Sequence, residues 1–143
     1  MITGEIKNKI DTIWDTFWTG GITNSISVLE QMTYLFFMKL PDDAQQKKEA
    51  TAMAFGTEIT NPVFKKGNWL NPDTEKEVPY ESLRWHVFKN TNPDTMFNMI
   101  RNDVFPFIKT LNSGKESAYS RFMENATFLI PNARILTKIV DDI

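Results

Sequence analysis

The chain has 143 residues, 41% of them hydrophobic, with 11 Phe and 4 Trp, which suits one folded domain with a sizeable core and argues against intrinsic disorder. Sixteen basic against 18 acidic residues give a formal charge of −2, so a domain held on nucleic acid by a general excess of cations is excluded. The absence of Cys removes disulfides, thiolate metal sites and a Cys nucleophile and agrees with a reducing cytoplasm; no apolar run approaches membrane-spanning length, and Met1 to Glu5 lacks the features of a secretory signal.

Ile6, Ile10, Ile13, Trp14, Phe17 and Trp18 recur at the spacing of one helix face, which predicts a first helix needing an apolar partner. Gly20 and Gly21 end it, because residues without a Cβ accept the positive φ that reverses a chain. Asn24 is the expected N-cap of a second helix, with Ile26, Leu29, Met32, Phe36 and Leu40 as its apolar stripe. From Tyr34 to Leu40 that helix is apolar nearly all round, which predicts burial among other helices, and Pro41 is expected to limit it. Asp42 to Phe55 reads as a further helical stretch, with acids first and Lys47 and Lys48 later to match the helix dipole, and Gly56 as its stop.

Thr57 to Pro79 is rich in breakers, including Asn61-Pro62, Lys66-Gly67-Asn68 and Asn71-Pro72, and predicts a loop-rich insertion with room for a short hairpin. Tyr80 to Phe88 is expected to form a short helix burying Leu83, Trp85 and Phe88. Asn92-Pro93-Asp94 opens the next helix with a cap, a proline at its first position and an acid in its first turn. Pro106 should kink or restart it within 104–108, and Asn112-Ser113-Gly114 should close it. A helix over about Ser117 to Asn125 follows, and then a final stripe of Ile135, Leu136, Ile139, Val140 and Ile143 after Pro131-Asn132. That stripe meets no stop signal, which predicts a following domain. The fold expected is therefore mainly α, an irregular helical bundle of about six or seven helices.

Several of these segments, taken in order, resemble a known family. They are Ile13-Trp14-Asp15, the Gly20-Gly21-Ile22-Thr23-Asn24 turn, Glu30 to Leu35 on to Lys39, Leu83-Arg84-Trp85 with Phe88-Lys89-Asn90, Val104 to Ile108, Phe122 to Phe128, and Leu136 to Ile143. The set is similar to the N-terminal helical domain of the methyltransferase (M, modification) subunit of type I restriction-modification systems. It spans almost the whole chain, 1–143, with Asp42 to Pro79 as the region without family words. The resemblance implies a piece of an adenine-N6 DNA methyltransferase of the bacterial or archaeal cytoplasm. It also implies a specificity subunit, a second M subunit, in some systems a restriction subunit, and double-stranded DNA as partners. S-adenosylmethionine and the catalytic domain are then expected after residue 143, and this segment alone is expected to be inactive, without cofactor or metal.

The residues themselves carry little chemistry. Asn61-Pro62-Val63-Phe64 echoes the Asn-Pro-Pro-aromatic motif of adenine methyltransferases but lacks the second Pro, a preceding parallel strand and a Gly-rich cofactor loop. His86 is the only histidine, which excludes a two-His metal site and makes it a structural or surface residue. Asp42-Asp43 and Asp141-Asp142 read as solvated helix-end charges. The helical spacing of Trp14, Phe17 and Trp18 favours core packing over stacking on bases. Thr23 and Asn24 on the turn, and Lys65 and Lys66 on the loop, are the candidates for touching DNA or a partner, although capping explains Asn24 and solvation explains the lysines. A stand-alone helical adaptor that binds protein fits the near-neutral charge equally well. An autonomous DNA reader lacks a basic recognition helix.

Overall fold

The computed structural model describes residues 4–111 and 118–143, and among them the architecture is mainly α. Helix α1 (Gly4–Thr19) ends where Gly21 takes φ 96°, and the N–H groups of Gly21 and Ile22 return to the carbonyls of Trp18 and Phe17. That pairing satisfies carbonyls the helix end would otherwise leave open. Gly20 serves a different need, since a Cβ there would lie 2.7 Å from Ile135 Cδ1. The last helix thus packs directly on the turn through Ile135.

Helix α2 (Ser25–Phe55) starts as expected, with Asn24 Oδ1 accepting the N–H groups of Ile26 at 2.9 Å and Ser27 at 3.2 Å. It does not stop at Pro41. A mid-helix proline costs about 3 kcal/mol, but Asp42, Gln45 and Glu49 on the following turns all hold tertiary partners that keep the chain helical as far as Gly56. The stripe expected to be buried is also corrected. Ile26, Leu29 and Leu40 are 67%, 54% and 55% exposed, and Phe36 is exposed as well. The inward face consists of Val28, Gln31, Met32, Tyr34, Leu35, Met38, Asp42 and Gln45. Apolar residues alone misplace this face because three of its members are polar and bury their side chains against fixed partners. On α1, Ile13 and Phe17 are buried against α7, whereas Trp14 is half-buried and Ile10 and Trp18 are exposed.

The insertion contains the hairpin, β1 (Asn68–Leu70) antiparallel to β2 (Glu77–Pro79), with Trp69 opposite Val78. A 3-10 turn (Tyr80–Leu83) and α3 (Trp85–Phe88) follow, parted by the extended backbone of Arg84, and they bury Leu83, Trp85 and Phe88 as expected. Asn92 caps α4 (Pro93–Met99) by accepting the N–H of Thr95 at 2.9 Å. A π turn over Ile100–Val104 leads into α5 (Phe105–Thr110), so the interruption expected near Pro106 is present and begins just ahead of it. In α register Asn102 O would receive the N–H that Pro106 lacks, and here it accepts Asn71 Nδ2 at 2.9 Å. Buried Asn71 also donates to Asp103 Oδ1 at 3.0 Å, which fastens the hairpin to the π turn.

The stop expected at Asn112-Ser113-Gly114 and the start at Ser117 lie outside the described residues; α6 is seen over Ala118–Glu124. Helix α7 (Ala133–Asp142), capped by Asn132, buries Ile135, Leu136, Ile139 and Val140 against α1 and α4. Aromatic rings join the layers. Tyr34 of α2 meets Phe105 at 5.2 Å and Phe122 at 5.8 Å, and Phe107 of α5 meets Trp69 at 5.3 Å and Phe64 at 5.6 Å.

The split along α1 gives a direct comparison. Phe17→Ala should lower unfolding stability by about 3–5 kcal/mol, whereas Trp18→Ala should cost less than about 1 kcal/mol in the same denaturant titration.

Candidate functional site

Three polar groups on α2 face inward and carry tertiary hydrogen bonds of the domain. Near one end, Gln31 Nε2 donates to Thr127 O at 2.9 Å while its Oε1 accepts the N–H of Leu129 at 3.0 Å. Further along, Gln45 does the same for one residue, accepting the N–H of Phe64 at 2.8 Å and donating to its carbonyl at 2.9 Å. Each glutamine pairs backbone that belongs to no helix or strand, and buried backbone groups require such partners.

Between them stands Asp42, with no exposed surface. Its Oδ1 accepts Arg84 Nε at 2.6 Å, and its Oδ2 accepts the His86 N–H at 2.9 Å and Gln46 Nε2 at 3.1 Å. His86 Nδ1 lies 2.7 Å from the same Oδ2 and donates when it carries the proton. The guanidinium of Arg84, itself buried, forks onto Glu49 at 2.7 and 2.9 Å and lies 5.6 Å over the Phe64 ring. Asp42 also supplies a negative group to the first turn of α3, which has no side-chain cap of its own.

Burial alone would push the Asp42 carboxyl up, but the hydrogen bonds from His86 and the bond and charge of Arg84 hold it below its usual range. The Arg84 fork likewise lowers Glu49, and Arg84 itself is pushed further up, first by Glu49 and then by Asp42. Elsewhere, burial and then the Glu30 carboxylate raise Tyr34 to about 12. Asp42 spends its acceptors on Arg84, His86 and Gln46, and the arrangement has the chemistry of a structural cross-link. Asp42 is therefore no solvated helix-end charge, as its position after Pro41 implied, because the helix continues through it. His86 keeps the structural role expected of it.

The candidates for contact do not form one site. Asn24 spends its side-chain oxygen on the cap, and Thr23 is exposed beside it. Lys65 and Lys66 are exposed directly after Phe64, roughly 30 Å from Asn24 by the 1.5 Å rise of the helix to Gln45. In Asn61-Pro62-Val63-Phe64 it is Phe64 alone that is buried, in a packing role. Asn61 takes φ 51° and Phe64 is buried between Arg84 and Phe107. Two open grooves flank this loop, one of about 490 Å³ containing Lys47 and Lys48 and one of about 360 Å³ containing Lys66. Among the described residues, no group of three His, Cys, Asp or Glu side chains is placed to hold a metal ion. No helix among them is long and apolar enough to cross a membrane.

A family model described as the HsdM N-terminal domain matches residues 6–143. The chain belongs to that family. It is the N-terminal domain of a type I restriction-modification M subunit, whose parent protein is a methyltransferase subunit. No curated protein and no solved structure matches the chain significantly. The stretch of this HsdM domain without family words in its sequence, Asp42 to Pro79, lies inside the matched region and holds half of its buried ion network. Asp42 and Glu49 are legible as partners only through their seven-residue spacing, which sets both on one helix face, and through Arg84 standing between apolar neighbours that imply burial.

Removing one member of a buried, hydrogen-bonded pair strands the other charge. Arg84→Met should therefore cost about 3–5 kcal/mol in urea unfolding, and Arg84→Lys should recover only part of it because an ammonium cannot fork. Acid should act on the same group. A depressed folded pKa gives stability that is full above the usual carboxylate range and is lost as pH falls through the folded value. The thermal midpoint of the wild type should thus drop between neutral pH and about pH 3 more steeply than that of Asp42→Asn.

Proposed function

We propose that this domain is the accessory N-terminal part of a site-specific adenine-N6 DNA methyltransferase. It helps assemble the M and specificity subunits and enclose double-stranded DNA. Binding of S-adenosylmethionine and methyl transfer belong, in this reading, to a catalytic domain beyond residue 143. A second M subunit and, in some systems, a restriction subunit complete the assembly. Family membership supports the parent enzyme, and one structural observation carries the docking role.

That observation is the outward face of α2. Ile26, Leu29, Phe36 and Leu40 lie about opposite Val28, Leu35 and Met38 on the helical wheel, so the helix is apolar on both sides, and among the described residues only the second side is buried. Their spacing alternates between three and four residues once Thr33 is included, the pattern of a seam that receives another helix. Contiguous exposed apolar surface of this kind marks a contact with protein. Charge supports the same division of labour, since a net −2 domain is better placed to join subunits than to hold DNA unaided.

The test uses the complete M subunit carrying Leu29→Asp with Leu40→Asp. Both positions are exposed, so the thermal midpoint of the domain should stay within about 2 °C. Affinity for the specificity subunit or the second M subunit should fall at least about tenfold, as expected when a central apolar anchor is removed. Unchanged assembly and unchanged DNA methylation would refute the docking role of this face. Loss of binding to an unrelated protein, with methylation intact, would favour an adaptor.

A further inference from the structure

We infer that the two grooves flanking the 57–66 loop form a seat for the DNA phosphate backbone, built from Lys47 and Lys48 on α2 and Lys65 and Lys66 on the loop. The inference rests on the reading of the parent as a DNA-modifying enzyme and adds where this domain touches the polymer. The two lysine pairs are separated in sequence, and the fold sets them around one loop. Lys47 and Lys48 line the groove on one side, Lys66 lines the groove on the other, and the grooves share Thr57, Glu58 and Ile59 as a common wall.

Charge accounting distinguishes this place from an ordinary solvated surface. None of the four lysines forms an ion pair among the described residues. Two carboxylates line the grooves, Glu58 and Glu49, and Glu49 shares the single charge of Arg84 with Asp42, so they stand against three groove lysines, Lys47, Lys48 and Lys66, with Lys65 adjacent in the chain. A chain with a net charge of −2 thus carries a local positive surplus at one position, and such local potential attracts polyanions even when the whole molecule does not. Within a Debye length of about 8 Å at physiological salt, the local surplus decides the interaction.

The lysines also stand on fixed backbone. Gln45 holds both the N–H and the carbonyl of Phe64, the residue immediately before Lys65, and Phe64 is buried under Arg84 and against Phe107. The N–H of Thr57 returns to Ala52 O at 2.9 Å, which fastens the other end of the loop to α2. Cations on anchored backbone lose less freedom on binding than cations on a free loop, and phosphate contacts serve to position a protein on duplex without reading its sequence. This matches a domain whose target recognition lies elsewhere.

The test compares assembled wild-type complex with complexes carrying K47Q/K48Q, K65Q/K66Q or all four changes. Binding to a target duplex and a non-target duplex is measured across a salt series, with K76Q and K89Q as controls outside the grooves. Every lysine that no longer neutralises a phosphate should lower the slope of log affinity against log salt by about one. The pair variants should therefore weaken both duplexes alike, and the quadruple variant more, while subunit assembly and the two controls remain as wild type. Wild-type slope and affinity in the quadruple variant would overturn the inference. So would loss of subunit assembly in place of DNA affinity, which would make the grooves a dock for an acidic protein segment. If the wild-type complex itself binds no DNA, the underlying functional reading fails instead.

Discussion

The Asp42 carboxylate enters the interior charged, one residue after a proline, and accepts four donors from two other places in the chain. An ionised carboxylate in so dry a position is costly unless each lone pair is occupied, so Arg84, the first turn of α3 and the second half of α2 must take their places together. Arg84 extends the constraint to Glu49 and to the Phe64 ring, and Gln45 fixes Phe64 from the other side. The loop, the 3-10 turn and α3 are thereby located relative to α2 by directional bonds. Apolar contact alone leaves such elements free to slide, and it is the polar geometry that sets their register.

Helix α2 is then best understood as a spine with two kinds of surface. Its inner side mixes apolar residues with Gln31, Asp42 and Gln45, each of which captures a segment lacking regular structure. Its outer side is simpler, apolar from Ile26 to Leu40 and cationic further on at Lys47 and Lys48. A single element therefore holds the domain together on one side and leaves an apolar and cationic surface exposed on the other.

Most helix boundaries are legible in the sequence because they depend on local chemistry. Asn24, Asn92 and Asn132 cap, Gly21 and Gly56 terminate, and Pro93 starts, each through bonds or dihedrals within a few residues. The failures lie where distant residues decide. Pro41 is a breaker in any local account, and Phe64, Arg84 and His86, nineteen to forty-four positions from the helix residues they bond, make the continuation favourable. The buried face of α2 escapes a local reading for the same reason, since Gln31 and Gln45 look solvent-facing until their backbone partners are known. The sequence-predicted contact residues divide on similar grounds. Asn24 is occupied by a local cap, and the setting of Lys65 and Lys66 depends on Lys47 and Lys48, which read locally as dipole complements.

The π turn at Ile100–Val104 has an implication for how such a domain changes over time. The Phe105 N–H reaches back to Ile100 O, five residues earlier, so this helix holds one more residue than α register needs. Because the π turn absorbs that residue locally, deleting it would close the turn to α geometry and leave Phe105 and Phe107 facing Tyr34 and Trp69. What the deletion would alter is the widened backbone that carries the Asn102 carbonyl and the Asp103 carboxylate, the two acceptors that Asn71 grips. The extra residue therefore serves the hairpin rather than the aromatic face of the helix, because the widened turn is where Asn71 is held.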